Sequence, residues 1–149
     1  MKKDNFSKKV YSEEAIAAMD AVSSDSVYDG DVYRFVWHSE NEPVSEDDFL
    51  PYFIEKGNSS FEMQNKIVSS GSVGAFGVSF FDSLDNLLNC KTLYHKAKNK
   101  EHAIVKGKLD KNVGSCSNVE KNGHIDLFVY DPEKDNQFRN CFDIIKEDE

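Results

Sequence analysis

Val32-Tyr33-Arg34-Phe35-Val36-Trp37 gives the clearest structural pattern in this sequence. It concentrates β-branched and aromatic residues, which fit the pleated surface of a strand. Strict alternation of side chains along a strand places Tyr33, Phe35 and Trp37 on one face and Arg34 on the other. We therefore expect a strand with an aromatic face and a single cation on the opposite side.

Further segments with regular patterns lie on both sides of this strand. We predict more strands over residues 75–81, 102–109, 124–130 and 137–145. The spacing of apolar residues in 137–145 fits both a helix and a strand, and we favour the strand. We predict helices over residues 13–22, after Pro43 with an interruption at Pro51, and after Ser83. Residues 57–74 hold Gly, Ser and Asn with few apolar anchors, which predicts a long loop and a candidate moving segment.

These elements predict a single α+β domain with a mostly antiparallel sheet of about five strands and two or three helices. A chain of 149 residues is near the commonest domain size. We expect a flexible basic N-terminus over residues 1–11, the α+β domain over residues 12–145 and an acidic tail over residues 146–149.

The composition indicates in which cellular compartment the protein is expected. No apolar run approaches the roughly 20 residues of a membrane-spanning helix, and the first ten residues lack the apolar stretch of a secretory signal. The three cysteines are odd in number and widely spaced, which favours a reducing compartment over a disulfide framework. We expect a cytoplasmic protein that does not associate with membranes, and the sequence leaves its oligomeric state open.

The charge is unevenly distributed along the chain. The net charge is -9, and residues 20–48 contain nine acidic residues against Arg34 alone, whereas residues 91–111 contain seven lysines against two acids. A net negative charge, and sixteen lysines against two arginines, disfavour nucleic acid as a direct ligand.

The acidic segment predicts a docking surface, because complementary potentials speed association and select partners. The leading hypothesis is a small binding module, of the inhibitor, immunity-factor or adaptor type, that docks this face on a basic protein and needs no cofactor. The predicted partner-binding residues are Asp29, Asp31, Trp37, Glu46, Asp47 and Asp48. The alternative is an ordinary solvated face, since acids at helix starts and in loops need no partner.

Motifs for chemistry are sparse, and whether the protein is an enzyme stays open. The four histidines lack the spacing with which a helix presents two ligands to one metal, so we predict no metal site. Cys90 or Cys116 could still meet His95 or His124 in space as a catalytic pair, but a buried or idle thiol is the better explanation of each cysteine.

One arrangement of residues resembles a known superfamily. Tyr33-Arg34 on an early strand, a long loop, and then Gly77-Val78-Ser79-Phe80 leading into a helix resemble the layout of ADP-ribosyltransferase-like domains over about residues 32–109. The resemblance implies that Arg34 and Ser79 line a cleft and clamp a nicotinamide dinucleotide (NAD). The superfamily also uses a late catalytic glutamate. Glu120 lies in a predicted loop and Asp126 on a predicted strand, and neither is a good match for that glutamate.

Overall fold

A computed structural model of the chain describes residues 2–134 and 138–146. The described part contains six strands: β1 Asp31–Val36, β2 Val78–Phe81, β3 Ala103–Lys108, β4 Gly114–Cys116, β5 His124–Val129 and β6 Phe142–Ile145. Its five α-helices are α1 Glu13–Val22, α2 Tyr52–Glu55, α3 Phe61–Ser69, α4 Leu84–Leu88 and α5 Lys91–Lys98. Of the predicted tail 146–149, residues 147–149 lie outside the described residues.

The six strands form one antiparallel sheet in the order β4-β5-β2-β1-β3-β6. Strands β1 and β3 pair along six positions, from Asp31 opposite Lys108 to Val36 opposite Ala103. In contrast, β1 and β2 pair only where Tyr33 lies opposite Phe81. The sheet therefore consists of two well-paired halves, β4-β5-β2 and β1-β3-β6, that are joined at a single position.

The two faces of the sheet are covered in different ways. One face carries alternating residues such as Val32, Val78 and Leu127, which form one core cluster with Phe49 and Phe142. The opposite face is covered by two separate clusters. One contains buried residues of α1 and α2 packed on Phe128, and the other contains residues of α4 and α5 packed on Phe35 and Phe81. This second face therefore has room for a cleft between the two groups of helices.

The predicted α+β class and antiparallel sheet are confirmed, with one strand more than expected. The interruption at Pro51 is also confirmed, because a 3-10 helix over Glu46–Phe49 precedes it and α2 begins directly after it. Helix α5 is not among the predicted helices, because the sequence of Lys91–Lys98 was considered only for its positive charge. Helices are therefore more numerous than the two or three expected.

The predicted long loop over residues 57–74 is wrong, because it contains α3. The helix is capped by Ser60, whose side chain accepts a hydrogen bond from the Met63 amide. Gln64 is fully buried; its Oε1 accepts from the Ser12 amide and its Nε2 donates to the carbonyls of Val10 and Ser59. Tertiary bonds of this kind stabilise a helix whose own sequence favours it weakly.

The basic N-terminal residues pack against the body of the protein. Phe6, Val10 and Tyr11 are buried together with α1 and Phe53. The Tyr11 hydroxyl donates to the Val129 carbonyl at 2.6 Å, and the Lys2 ammonium donates to the Asp20 carbonyl at 3.1 Å. Residues 2–11, which the sequence predicted as a flexible segment, thus hold part of the core.

The acidic and basic segments of the sequence meet in the sheet. Because β1 and β3 are neighbours, Asp31 forms ion pairs with Lys106 at 3.6 Å and with Lys108 at 3.7 Å. Two other acids of the acidic segment pair with cations outside the basic segment, Glu46 with Arg139 and Glu40 with Lys146. The two charge runs therefore neutralise each other in part and do not occupy opposite ends of the molecule.

Candidate active site

Arg34 lies where the two halves of the sheet separate. Its Nη1 donates to the Ser79 carbonyl on β2 at 2.9 Å, and its Nε donates to the Asp48 carbonyl at 2.9 Å. The guanidinium thus takes the place of strand pairing between β1 and β2. Burial lowers the pKa of Arg34 to about 10, although the charges of Glu55 and Asp48 oppose this shift, so the side chain stays positively charged at neutral pH.

Ser79 belongs to a polar network on the helix-covered face of the sheet. It lies directly opposite Asp126 on β5, and its Oγ is 3.0 Å from Nε2 of His124. The same histidine nitrogen is 3.3 Å from Oδ1 of Asp126, and Nδ1 of His124 is 3.0 Å from Oε1 of Glu120. One serine, one histidine and two carboxylates therefore converge where β2 and β5 pair.

Asp126 is the buried acid of this network, with a relative exposure of 8%. Burial raises its pKa to about 6; the charge of Glu120 adds to the effect, whereas the charge of His124 and a hydrogen bond from Ser79 oppose it. A carboxyl that titrates near neutral pH can exchange a proton with a reacting group.

Two glycines make room for this acid. A Cβ atom at Gly74 would lie 3.1 Å from Oδ2 of Asp126, and one at Gly77 would lie 3.0 Å from its Cβ. Gly74 and Gly77 thus let the chain before β2 pass close over the carboxyl.

Two adjoining hollows meet at Ser79 and Tyr52. The first, which we call the acidic depression, has a volume of about 380 Å³ and is lined by Tyr52, Ser72, Gly74, Ala75, Ser79, His124 and Asp126. The second, which we call the cationic cleft, has a volume of about 210 Å³, and its lining includes Arg34, Trp37, Tyr52, Glu55, Lys56, Ser79 and Lys96. An elongated ligand could occupy both, with its ends in surroundings of opposite charge.

The cations of the cleft lie against aromatic rings. The Lys96 ammonium is 4.0 Å from the centre of the Trp37 ring, and the Lys56 ammonium is 5.5 Å from the centre of the Tyr52 ring. Both distances are within the range of cation–π attraction. Burial, together with the like charges of Lys100, Lys56 and Arg34, lowers the pKa of Lys96 against the opposing charge of Glu55.

The structure brings Arg34 and Ser79, the two residues named by the superfamily resemblance, into direct contact. It distributes the six predicted docking residues over several places. Asp29 and Asp31 line a groove of about 1080 Å³ beside β3 and β6, whereas Trp37 lines the cationic cleft.

The other three docking residues lie near the 3-10 helix Glu46–Phe49. Glu46 and Asp47 line a separate hollow. The Asp48 side chain is 8% exposed, with Oδ2 2.9 Å from Nε2 of His38 and accepting a hydrogen bond from the Ser45 amide. Asp48 therefore has a structural role in holding this segment.

Sequence reasoning missed Lys56 and Lys96 as site residues, and it considered His124 only as the partner of a cysteine. His124 was assigned to a strand, but its approach to Ser79 depends on the pairing of β2 with β5, which no local pattern reveals. Lys56 lies at the C-terminal cap of α2, and its charge alone gives no local sign of a site. Lys96 belongs to α5, which was not predicted.

Within residues 2–134 and 138–146, no group of three or more His, Cys, Asp or Glu side chains is arranged to hold a metal ion. In the same ranges, each helix is too short or too polar to cross a bilayer. The chain matches no protein-family model, no curated protein sequence and no solved structure.

Proposed function

We propose that the protein is an ADP-ribosyltransferase-like enzyme that binds a nicotinamide dinucleotide across the cationic cleft and the acidic depression. The observation that carries this proposal is the position of Ser79, which lines both hollows: its carbonyl accepts a hydrogen bond from Arg34, and it lies opposite Asp126 on β5. Arg34 and Ser79 are the residues that the superfamily resemblance implies. Asp126 supplies a late acid, on the strand that pairs with the one bearing Ser79.

The two hollows suit the chemistry of this ligand. Its diphosphate is anionic, and its nicotinamide ring carries a positive charge that shifts to the ribose carbon as the glycosidic bond breaks. Arg34 in the cationic cleft attracts the diphosphate, and Asp126 in the acidic depression stabilises the positive charge on the ribose carbon. A fixed carboxylate is effective against such a sugar cation because it needs no reorganisation during the reaction.

Each site residue then has a role in the reaction. Ser79 and His124 hold the Asp126 carboxyl in place through the network described above. The dinucleotide supplies the bond between ribose and nicotinamide, which breaks with its electron pair leaving on nicotinamide. Asp126 then accepts the proton of the water or acceptor hydroxyl that bonds to the ribose carbon.

The proposal is tested by measuring nicotinamide release from the dinucleotide by chromatography, with water as the acceptor. We expect release by the wild-type protein, and a loss of about 100-fold or more in Asp126→Asn, since general-base groups typically contribute that much. Asp143→Asn, an exposed acid on β6, is the matched control and should keep full activity. Release no faster than in buffer, or an Asp126→Asn protein as active as the wild type, would contradict the proposal.

A second candidate function is docking on a basic protein inside the cell. It is favoured by the groove of about 1080 Å³, whose lining has five aspartates, among them Asp25 and Asp29, against three lysines. Capture of lysate proteins on immobilised wild type should be lost in Asp25→Lys/Asp29→Lys and should weaken as salt increases, because exposed charges are screened within about 10 Å at 0.1 M salt. Asp48 is unsuitable for this test since its side chain is buried.

A further inference from the structure

The lining of the cationic cleft contains more cations than anions. Arg34, Lys56 and Lys96 all line it, and Glu55 is the acid among its lining residues. Like charges gathered in a partly enclosed space repel one another more strongly than in open water. Burial and these neighbouring cations lower the pKa of Lys96. An anion in the cleft would relieve this repulsion.

The two lysines come from different helix groups. Lys56 follows α2, whose Phe53 is buried with α1, whereas Lys96 lies on α5, whose Ala97 is buried with α4. The lysines therefore come from the two helix groups, and Arg34 joins the lining of the cleft where the sheet halves separate. A group with several anionic oxygens could contact all three side chains at once.

We propose that Lys56 and Lys96, together with Arg34, form a diphosphate subsite that determines the affinity of this cleft for nucleoside diphosphates. This inference extends the proposed function, because it assigns the anionic part of the same ligand. The Lys56 ammonium lies against the Tyr52 ring, and the Lys96 ammonium lies against the Trp37 ring. Lysine binds phosphate as a point charge, so the subsite recognises charge and position, with little demand on geometry.

The subsite is tested by calorimetry with ADP, inorganic pyrophosphate and adenosine as probes. We expect ADP and pyrophosphate to bind and adenosine to bind at least tenfold more weakly. Lys56→Met/Lys96→Met should weaken ADP binding by about tenfold or more, which corresponds to about 1.4 kcal/mol or more. The double variant should also show a shallower dependence of affinity on salt, because fewer ions are exchanged on binding.

Two control variants keep the result interpretable. Lys66→Met removes an exposed lysine of α3 that pairs with Glu62 and lies outside the cleft lining, and it should bind ADP as the wild type does. Lys96→Arg retains the charge and should lose little affinity. Thermal unfolding of each variant identifies any loss of fold, in which case Lys96→Gln replaces Lys96→Met.

The outcomes separate the subsite from the proposed enzyme activity. Equal affinity for ADP and adenosine, or unchanged ADP binding in the double variant, would overturn the subsite even if nicotinamide is released. Conversely, lysine-dependent binding of ADP without nicotinamide release would support the subsite and contradict the enzyme activity.

Discussion

At the scale of single residues, Arg34 explains how one cation is tolerated inside a sheet. A buried polar group that lacks a partner costs about 1–3 kcal/mol. Arg34 instead donates hydrogen bonds to two backbone carbonyls, those of Ser79 and Asp48, at the point where strand pairing stops. The sequence indicated an unusual arginine on an aromatic strand, but its partners are carbonyls distant along the chain. Their identity could not be read from a local pattern.

Replacement of Arg34 should therefore destabilise the fold. We expect Arg34→Met to lower the free energy of unfolding by about 2–4 kcal/mol, because both carbonyls lose a charged donor. Arg34→Lys should cost less, since an ammonium can still reach one of them. Urea denaturation measures both effects, and a loss below about 0.5 kcal/mol in Arg34→Met would show that the carbonyls find other donors.

Asp126 should make stability depend on pH in a recognisable direction. Its pKa is raised to about 6 in the folded protein, above the ordinary value of 3.8, so folding favours the protonated form. The stability that Asp126 contributes is fully present below about pH 4 and is lost as the pH rises through about 6.

The variant Asp126→Asn removes this titration. The unfolding free energy of the wild type, measured relative to Asp126→Asn, should fall by on the order of 2 kcal/mol between pH 4 and pH 7. Urea denaturation across this range provides the measurement, with Asp143→Asn as the exposed control. A difference that stays constant or grows with pH would contradict the raised pKa.

At the scale of elements, the strands were easier to predict than the helices. The alternation in β5 places Ile125, Leu127 and Val129 in one core cluster. The alternation that begins in β1 places Tyr33, Phe35 and Trp37 in another, as the sequence predicts. Four of the nine residues of helix α3 are apolar, but its fully buried side chain is Gln64, which bonds to Ser12 and Val10 more than 50 positions away. A helix stabilised by such distant contacts leaves little local signal.

Gln64 should accordingly determine whether α3 stays docked. Gln64→Leu keeps an apolar side chain of similar size but leaves the Ser12 amide and the Val10 carbonyl without their partners. We expect a loss of about 2–4 kcal/mol in the free energy of unfolding. Glu62→Leu places the same side chain at an exposed position of the same helix and should change stability by less than about 0.5 kcal/mol. Equal effects of the two substitutions would contradict this account of α3.

At the scale of the whole molecule, the separation of the two sheet halves creates the candidate site. Strands β1 and β2 meet at one pair of residues, Arg34 spans the separation, and the helices of the two halves leave the cleft between them. The sequence predicted the α+β class and named Arg34 and Ser79. It could not predict that β5 would place His124 and Asp126 beside Ser79, because strand order is decided by long-range packing.

The most direct test of this account is to map the binding site of the nicotinamide dinucleotide by NMR on the isotope-labelled protein. We predict that the amide signals of Tyr52, Lys56, Ser79, Lys96 and His124 shift as ligand is added, whereas those of Asp29 and Asp143 in the distant groove do not. Signals that stay unchanged at millimolar ligand, or that shift only in the groove, would contradict the assignment of the cleft.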